Sequence, residues 1–215
     1  MVGSRRTTTE SELYTLYYAP GACSLAPHIA LREADLPFQM KKVSTKTKEM
    51  EDGGDYRTVN PLGYVPALAL PDGTLMTEAP VILQYVADQA PDKALVPAQG
   101  TRERYTVQSL LNFVGTELHK SFSPLFNPNL GDDAKSVFRT RLVDRFKWVN
   151  EQLAGRQWFS GERFGVADAY LFAVSNWAKP MGVDLTGLDA LLAWRKRAGE
   201  RPAVQAALQA EGLAK

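Results

Sequence analysis

The run Leu16-Tyr17-Tyr18-Ala19-Pro20-Gly21-Ala22-Cys23-Ser24-Leu25-Ala26-Pro27-His28 constrains the fold most. It begins as an apolar, aromatic strand and breaks at Pro20-Gly21, where neither strand nor helix continues easily. It restarts as a helix through Ile29, Leu31 and Arg32-Glu33-Ala34. Cys23, the only cysteine, falls where that helix begins. A helix N-terminus stabilises negative charge through its free N–H groups and its dipole. A thiol there is expected to ionise below the free-thiol value of about 8.5, with the Ser24 hydroxyl as a further donor. A lone cysteine can equally be a small buried hydrophobe. The strand–turn–cysteine–helix setting favours the nucleophile reading.

The chain has 215 residues, enough for one large domain or two small ones. A formal net charge of +1 gives no electrostatic case for nucleic acid or an acidic membrane. One cysteine excludes an internal disulfide framework and fits a reducing compartment, most simply the cytoplasm. No apolar stretch is long enough to span a bilayer. Residues 1–12 carry Arg5-Arg6 without an apolar core and read as a polar arm. Two histidines at unrelated positions give no zinc spacing, so no metal site is expected. No phosphate-binding glycine loop is present.

Strands are expected at Leu13–Ala19, Phe38–Val43, Val65–Leu70 and Thr74–Met76, the last two joined by a hairpin at Pro71-Asp72-Gly73. Helices are expected at Ser24–Ala34, in a short piece at Asp55–Val59, and after Thr77-Glu78-Ala79-Pro80, where proline suits a first turn. The order β-α-β-α-β-β-α predicts a compact α/β domain with a mixed sheet over 13–89. A Pro-bearing linker covers 90–99, and an all-helical domain covers 100–215. In that domain Val107, Leu111, Val114 and Leu118 recur at spacings of four, three and four. Leu142, Phe146, Val149 and Leu153 repeat the pattern. Helices are also expected at Asp168–Trp177, Leu188–Ala198 and Pro202–Leu213.

Together these features resemble a glutathione S-transferase. The runs Tyr17–Leu25, Asn60-Pro61-Leu62-Gly63-Tyr64-Val65-Pro66-Ala67-Leu68, Thr116-Glu117-Leu118-His119-Lys120 and Val166-Ala167-Asp168-Ala169-Tyr170-Leu171-Phe172 are similar to the bacterial beta class. The resemblance implies a thioredoxin-like first domain with a four-stranded sheet, a helical-bundle second domain, a two-fold homodimer and a glutathione site. It implies a cis Val65-Pro66 bond, turning the Val65 backbone groups toward the cysteinyl backbone of glutathione. Glu78 would take the γ-glutamyl ammonium, and N–H groups near Ala79 its carboxylate. Ala22 and Lys48 complete the first-domain contacts, with Lys48 near the glycyl end. Asn112, His119 and Lys120 add polar groups from a second-domain helix. Asn112 and His119 are seven apart and share a face.

Cys23, Ser24 and His119 are the catalytic candidates, and Tyr18 and Trp177 the lining of an acceptor pocket. The phenols of Tyr17 and Tyr18 are further candidates for assisting the thiolate, though strand neighbours face opposite ways. Glutathione is a co-substrate in this scheme and no cofactor is expected. Two departures stand out. Position 79 is alanine where a hydroxyl often helps hold the γ-glutamyl carboxylate, so weaker binding is expected. Position 165 is glycine where a capping Ser or Thr is usual, a change costing only a few tenths of a kcal/mol. With no second cysteine, Cys23 cannot run a dithiol cycle alone. The leading activity is conjugation of glutathione to small hydrophobic electrophiles. Alternatives are a glutathione-dependent thiol reductase or peroxidase using Cys23, and a non-catalytic ligand-binding protein.

Overall fold

The computed structural model describes residues 13–214; the arm expected over 1–12 lies outside them. Strand β1 (Tyr14–Tyr18) runs parallel to β2 (Phe38–Lys42), with helix α1 (Leu25–Glu33) crossing between them. Strand β3 (Ala67–Ala69) pairs antiparallel with β1, and β4 (Leu75–Thr77) antiparallel with β3. The sheet is therefore mixed, in the order β2-β1-β3-β4. The alternation of β1 divides its neighbours between two faces. Leu16 enters the main core, while Tyr17 packs with Val43, Tyr56 and Ala67 in a smaller cluster on the other side. The short helix expected at Asp55–Val59 is a single 3-10 turn, Tyr56–Thr58, capped by the Asp55 carboxylate accepting from the Arg57 N–H at 2.9 Å.

Helix α2 (Ala79–Asp88) follows β4 with Pro80 in its first turn. Beyond it come α3 (Arg102–Phe113), α4 (Asp132–Leu153), α5 (Val166–Ser175), α6 (Asp189–Gly199) and α7 (Pro202–Ala210). No strand lies beyond β4 among the described residues. Both heptad-like stripes of the sequence are at most 2% exposed along their whole length. They belong to one apolar cluster that runs from Leu16 and Ile29 in the first domain to Trp194 and Ala207 in the last helices. The apolar stripe Val107–Leu118 is thus absorbed by the chain's own core.

Buried Arg104 reinforces the junction. Its guanidinium donates to both Asp88 oxygens, at 2.7 and 2.9 Å, and to the Pro97 carbonyl at 3.1 Å. At the other edge Arg201 forks onto Glu33, at 2.6 and 2.7 Å, fixing α7 against α1. Helix α7 stops short of the expected Leu213. Gly212 takes φ +70°, and the Leu213 N–H returns to the Leu208 carbonyl, which ends the helix.

Candidate functional site

A cleft of about 850 Å³ opens where the two domains meet. Its first wall is the turn after β1, Ala19 to Cys23, facing the cis Val65-Pro66 bond. The floor is Thr77 to Pro80 at the start of α2, with Lys48, Asn60 and Tyr64 at one end. Asn112, His119 and Lys120 form the opposite wall with Tyr170, Phe126 and Trp177. The helical wall changes its winding here: after α3 the segment Val114–His119 forms a π turn, and Lys120–Phe122 resumes as α-helix. Such turns shift the register of side chains and recur at functional sites.

Gly21 is held from both sides. Its N–H donates to Glu211 Oε2 at 2.9 Å, and its carbonyl accepts from Trp177 Nε1 at 2.7 Å. Its φ of +71° suits glycine. Two non-glycine residues of the cleft, Lys48 (φ +62°) and Glu78 (φ +68°), also occupy positive φ, a costly conformation that surrounding structure must enforce. The Lys48 ammonium lies 5.7 Å from the centre of the Tyr64 ring.

Two family models cover most of the chain: the glutathione S-transferase N-terminal domain over residues 21–89 and its C-terminal domain over 100–197. The chain belongs to the glutathione S-transferase family. It is 48% identical to "Glutathione S-transferase GstA" of Escherichia coli O157:H7, over 92% of this chain and 98% of that protein. It is 42% identical to "Glutathione S-transferase GST-4.5" of Xanthomonas campestris, over 92% and 98%. Among solved structures, a bacterial glutathione S-transferase described as a ternary complex of BphK superposes with a TM-score of 0.91 at 52% identity, covering 93% of this chain and 100% of that one. A sphingomonad glutathione S-transferase complexed with glutathione gives 0.90 at 46%, covering 93% and 100%.

The expected ligand contacts of the glutathione S-transferase site, Ala22, Cys23, Lys48, Val65, Pro66, Glu78, Ala79, Asn112, His119 and Lys120, all line the cleft, as does Trp177. Three expectations need correction. Cys23 precedes the helix rather than starting it: Ser24 is the N-cap and Leu25 the first helical residue. The thiol is buried and donates to the Val65 carbonyl at 3.3 Å. Burial pushes it up to about 12, with Glu78 adding to the rise; the Cys23 and Ser24 N–H groups and Lys120 pull the other way and lose. The dipole argument names a real effect that desolvation outweighs. Second, Ser24 is fully buried, and its hydroxyl accepts from the Ala19 N–H (3.1 Å) and donates to the Ala19 carbonyl (3.2 Å). It clips the turn and does not face the cleft. Third, Tyr18 does not line the cleft; its ring packs half-buried against the main core, where burial, Glu211 and Glu51 raise its phenol. Tyr17 points to the opposite face of the sheet.

His119 has its Nδ1 at 2.8 Å from the Tyr170 hydroxyl, and its ring stacks edge-on with Tyr170 and Trp177. Burial, then the charge of Lys120, pushes it down to about 4, so the ring is neutral at physiological pH. Tyr170, Tyr64 and Phe126 are cleft residues that sequence reasoning did not select. Tyr170 stands in the Val166–Phe172 run, which carries the family resemblance without assigning Tyr170 a role in the site. Its partner is 51 positions away, and no local pattern announces the contact. Among the described residues no cluster of His, Cys, Asp and Glu could hold a metal ion, and no helix is long and apolar enough to cross a membrane.

Proposed function

We propose that the chain conjugates glutathione to small hydrophobic electrophiles in this cleft, with glutathione as co-substrate and no further cofactor. The observation that carries the reading is convergence. Lys48, Val65, Glu78, and the trio Asn112, His119 and Lys120 come from four separate stretches of the chain, and they line one cavity with the apolar rings of Phe126 and Trp177 beside them. The Val65 backbone receives the cysteinyl unit as an added strand. Its carbonyl has two lone pairs and can accept from both the Cys23 thiol and the ligand N–H. Glu78 takes the γ-glutamyl ammonium, the α2 N–H groups at Ala79 the neighbouring carboxylate, and Lys48 the glycyl end.

In the reaction the glutathione thiol loses its proton to solvent. The thiolate attacks the electrophilic carbon, a C–S bond forms, and the leaving group departs with the displaced electron pair. His119 and Lys120 supply hydrogen-bonding and positive charge to the sulfur as it ionises. Trp177 and Phe126 shelter the acceptor. A protonated Cys23 favours this reading over the thiol reductase, which needs a thiolate on the protein.

In this reading residues 13–89 are the glutathione half, 90–99 the linker and 100–215 the helical half. The protein works in the cytoplasm as a homodimer. Exposed Leu62, Tyr64 and Tyr105, 61–68% accessible, support a partner surface. The test is calorimetric titration of glutathione, with conjugation of an activated aryl halide followed by absorbance. Glu78→Gln removes a charge-assisted contact and should weaken glutathione at least about tenfold. An unchanged Kd in a folded variant takes Glu78 out of the site, and a wild-type protein that binds glutathione without conjugating is a binder only.

A further inference from the structure

A neutral imidazole has one donor nitrogen and one acceptor, and its partners decide which is which. The chain has two histidines, and their partners differ. His28 is fully buried. Arg32 Nε donates to its Nε2 at 2.9 Å, and its Nδ1 faces Glu211 Oε1 at 2.8 Å. Arginine has no acceptor, so Nε2 must accept and the ring proton sits on Nδ1.

At His119 the partner of Nδ1 is the Tyr170 hydroxyl, which can donate or accept. Tyr170 is 2% exposed, and among the described residues His119 is the only hydrogen-bond partner of its phenol. Burial, with Cys23 and Glu78 nearby, raises that phenol far above its ordinary range and keeps it protonated. Were the His119 proton on Nδ1, the phenol oxygen would accept and its own O–H would be left buried without an acceptor, a costly arrangement. The phenol therefore donates to Nδ1, and the ring proton lies on Nε2. Nε2 has no hydrogen-bond partner among the described residues. No buried side-chain nitrogen or oxygen among them lacks a partner, so Nε2 lies on the accessible edge of the ring.

We propose that Tyr170 is a positioning residue that locks His119 in the Nε2–H tautomer, so that His119 offers the glutathione sulfur a neutral hydrogen-bond donor and not a base. The inference rests on the reading of His119 as part of the glutathione site. The groups facing this pair are Lys120 on the same helical wall and Cys23 and Glu78 from the first domain. Glu117, in the same helical segment as His119, is held by Arg141 and Arg145.

The first measurement is the long-range ring ¹H–¹⁵N spectrum of the labelled full chain between pH 6 and 8, assigned with His119→Gln. Opposite placements of the ring proton are expected, on Nδ1 in His28 and on Nε2 in His119. The second is Tyr170→Phe, which keeps the ring and removes only the hydroxyl. Its His119 signal should lose the fixed tautomer. Its kcat should fall about tenfold, the order expected for loosening one donor to a developing anion. The KM for glutathione should stay within twofold, and the midpoint of the kcat/KM pH profile should rise. A merely structural hydroxyl would not move that midpoint at constant KM. An Nδ1–H signal for wild-type His119 overturns the proposal, as does a Tyr170→Phe enzyme with unchanged kcat and pH profile. Should the variant fail to fold, the wild-type spectrum decides. Should the spectrum show Nε2–H in a protein that neither binds nor conjugates glutathione, the lock stands and the functional reading falls.

Discussion

Asp168 and Cys23 are both buried polar groups near the junction of the two domains, and they are partnered in opposite ways. The Asp168 carboxylate accepts four N–H groups: Phe159 (2.7 Å), Ser160 (3.0 Å), Gly165 (3.1 Å) and the Trp194 indole (2.7 Å). Burial pushes this carboxyl up, and hydrogen bonds from the Ser160 side chain, the Trp194 indole and the Phe159 and Ser160 backbone oppose that by holding the charged form. Cys23 makes a single bond to a backbone carbonyl, and the nearby His119 uses one ring nitrogen of two. Where hydrogen-bonding capacity is exhausted within the chain, the group holds the fold. Where some is left at a cavity wall, it is available to a ligand. The Gly21–Glu211–His28–Arg32 network belongs to the first kind, although it ends at the cleft.

The contrast is broken most directly at Asp168. Asp168→Ala strands four donors, three of them buried, and should destabilise the protein by about 3–5 kcal/mol, near the upper end for one substitution. Urea or thermal unfolding measures the loss, and the specific activity of the fraction still folded should be unaffected. A loss below about 1 kcal/mol would mean that saturation does not mark the structural sites.

The same region shows what a sequence carries. The apolar spacing of α3 and α4 is local, and every position it selected is buried. The cleft contacts were legible because short runs around Cys23, Val65, Glu78 and His119 resemble those of the glutathione S-transferase family, and that resemblance implies the contacts. Contacts that close through space were not. The cap hydroxyl missing at Gly165 is supplied by Ser160, whose Oγ accepts from the Asp168 N–H at 3.3 Å. A Cβ at 165 would lie 2.8 Å from that Oγ and 2.6 Å from the Leu95 carbonyl, so glycine is required once Ser160 fills the space. The Cys23 thiol illustrates the same limit. Its position near a helix start is a sequence property, but its burial depends on Val65, 42 positions away, and on the helical wall opposite. Desolvation, the larger effect, could not be read from the run alone.

His119 sharpens the comparison through pH. Its ordinary value near 6.5 is lowered to about 4 in the folded chain. Between those values the unfolded chain binds the additional proton, so acidification favours unfolding. The stabilisation is complete above 6.5 and lost progressively toward pH 4, in total about 3 kcal/mol. Carboxylates titrate in the same window, so the quantity to measure is the difference between wild type and His119→Gln. The wild-type stability should fall more steeply from pH 6.5 to 4 than that of the variant. Parallel curves would show that His119 is not desolvated by the cleft wall.

The smallest effect is expected at Cys23. With the thiol raised to about 12, the thiolate is a trace species at neutral pH. Cys23 should then alkylate more slowly than an unperturbed thiol, whose pKa is about 8.5. Conjugation uses the sulfur of glutathione, and His119, Lys120 and the Val65 backbone remain in Cys23→Ala. The substitution removes one weak S–H donor and a small volume from the wall. The conjugation rate should fall by less than about fivefold, roughly the effect of one weak neutral hydrogen bond. Any disulfide reductase activity should vanish with it, because the chain has no other thiol. Rapid alkylation in wild type, or a loss of conjugation as large as that in Tyr170→Phe, would place Cys23 with the groups that activate the sulfur. The line between saturated and available groups would then have to be drawn by distance from the reacting atom and not by hydrogen-bonding capacity.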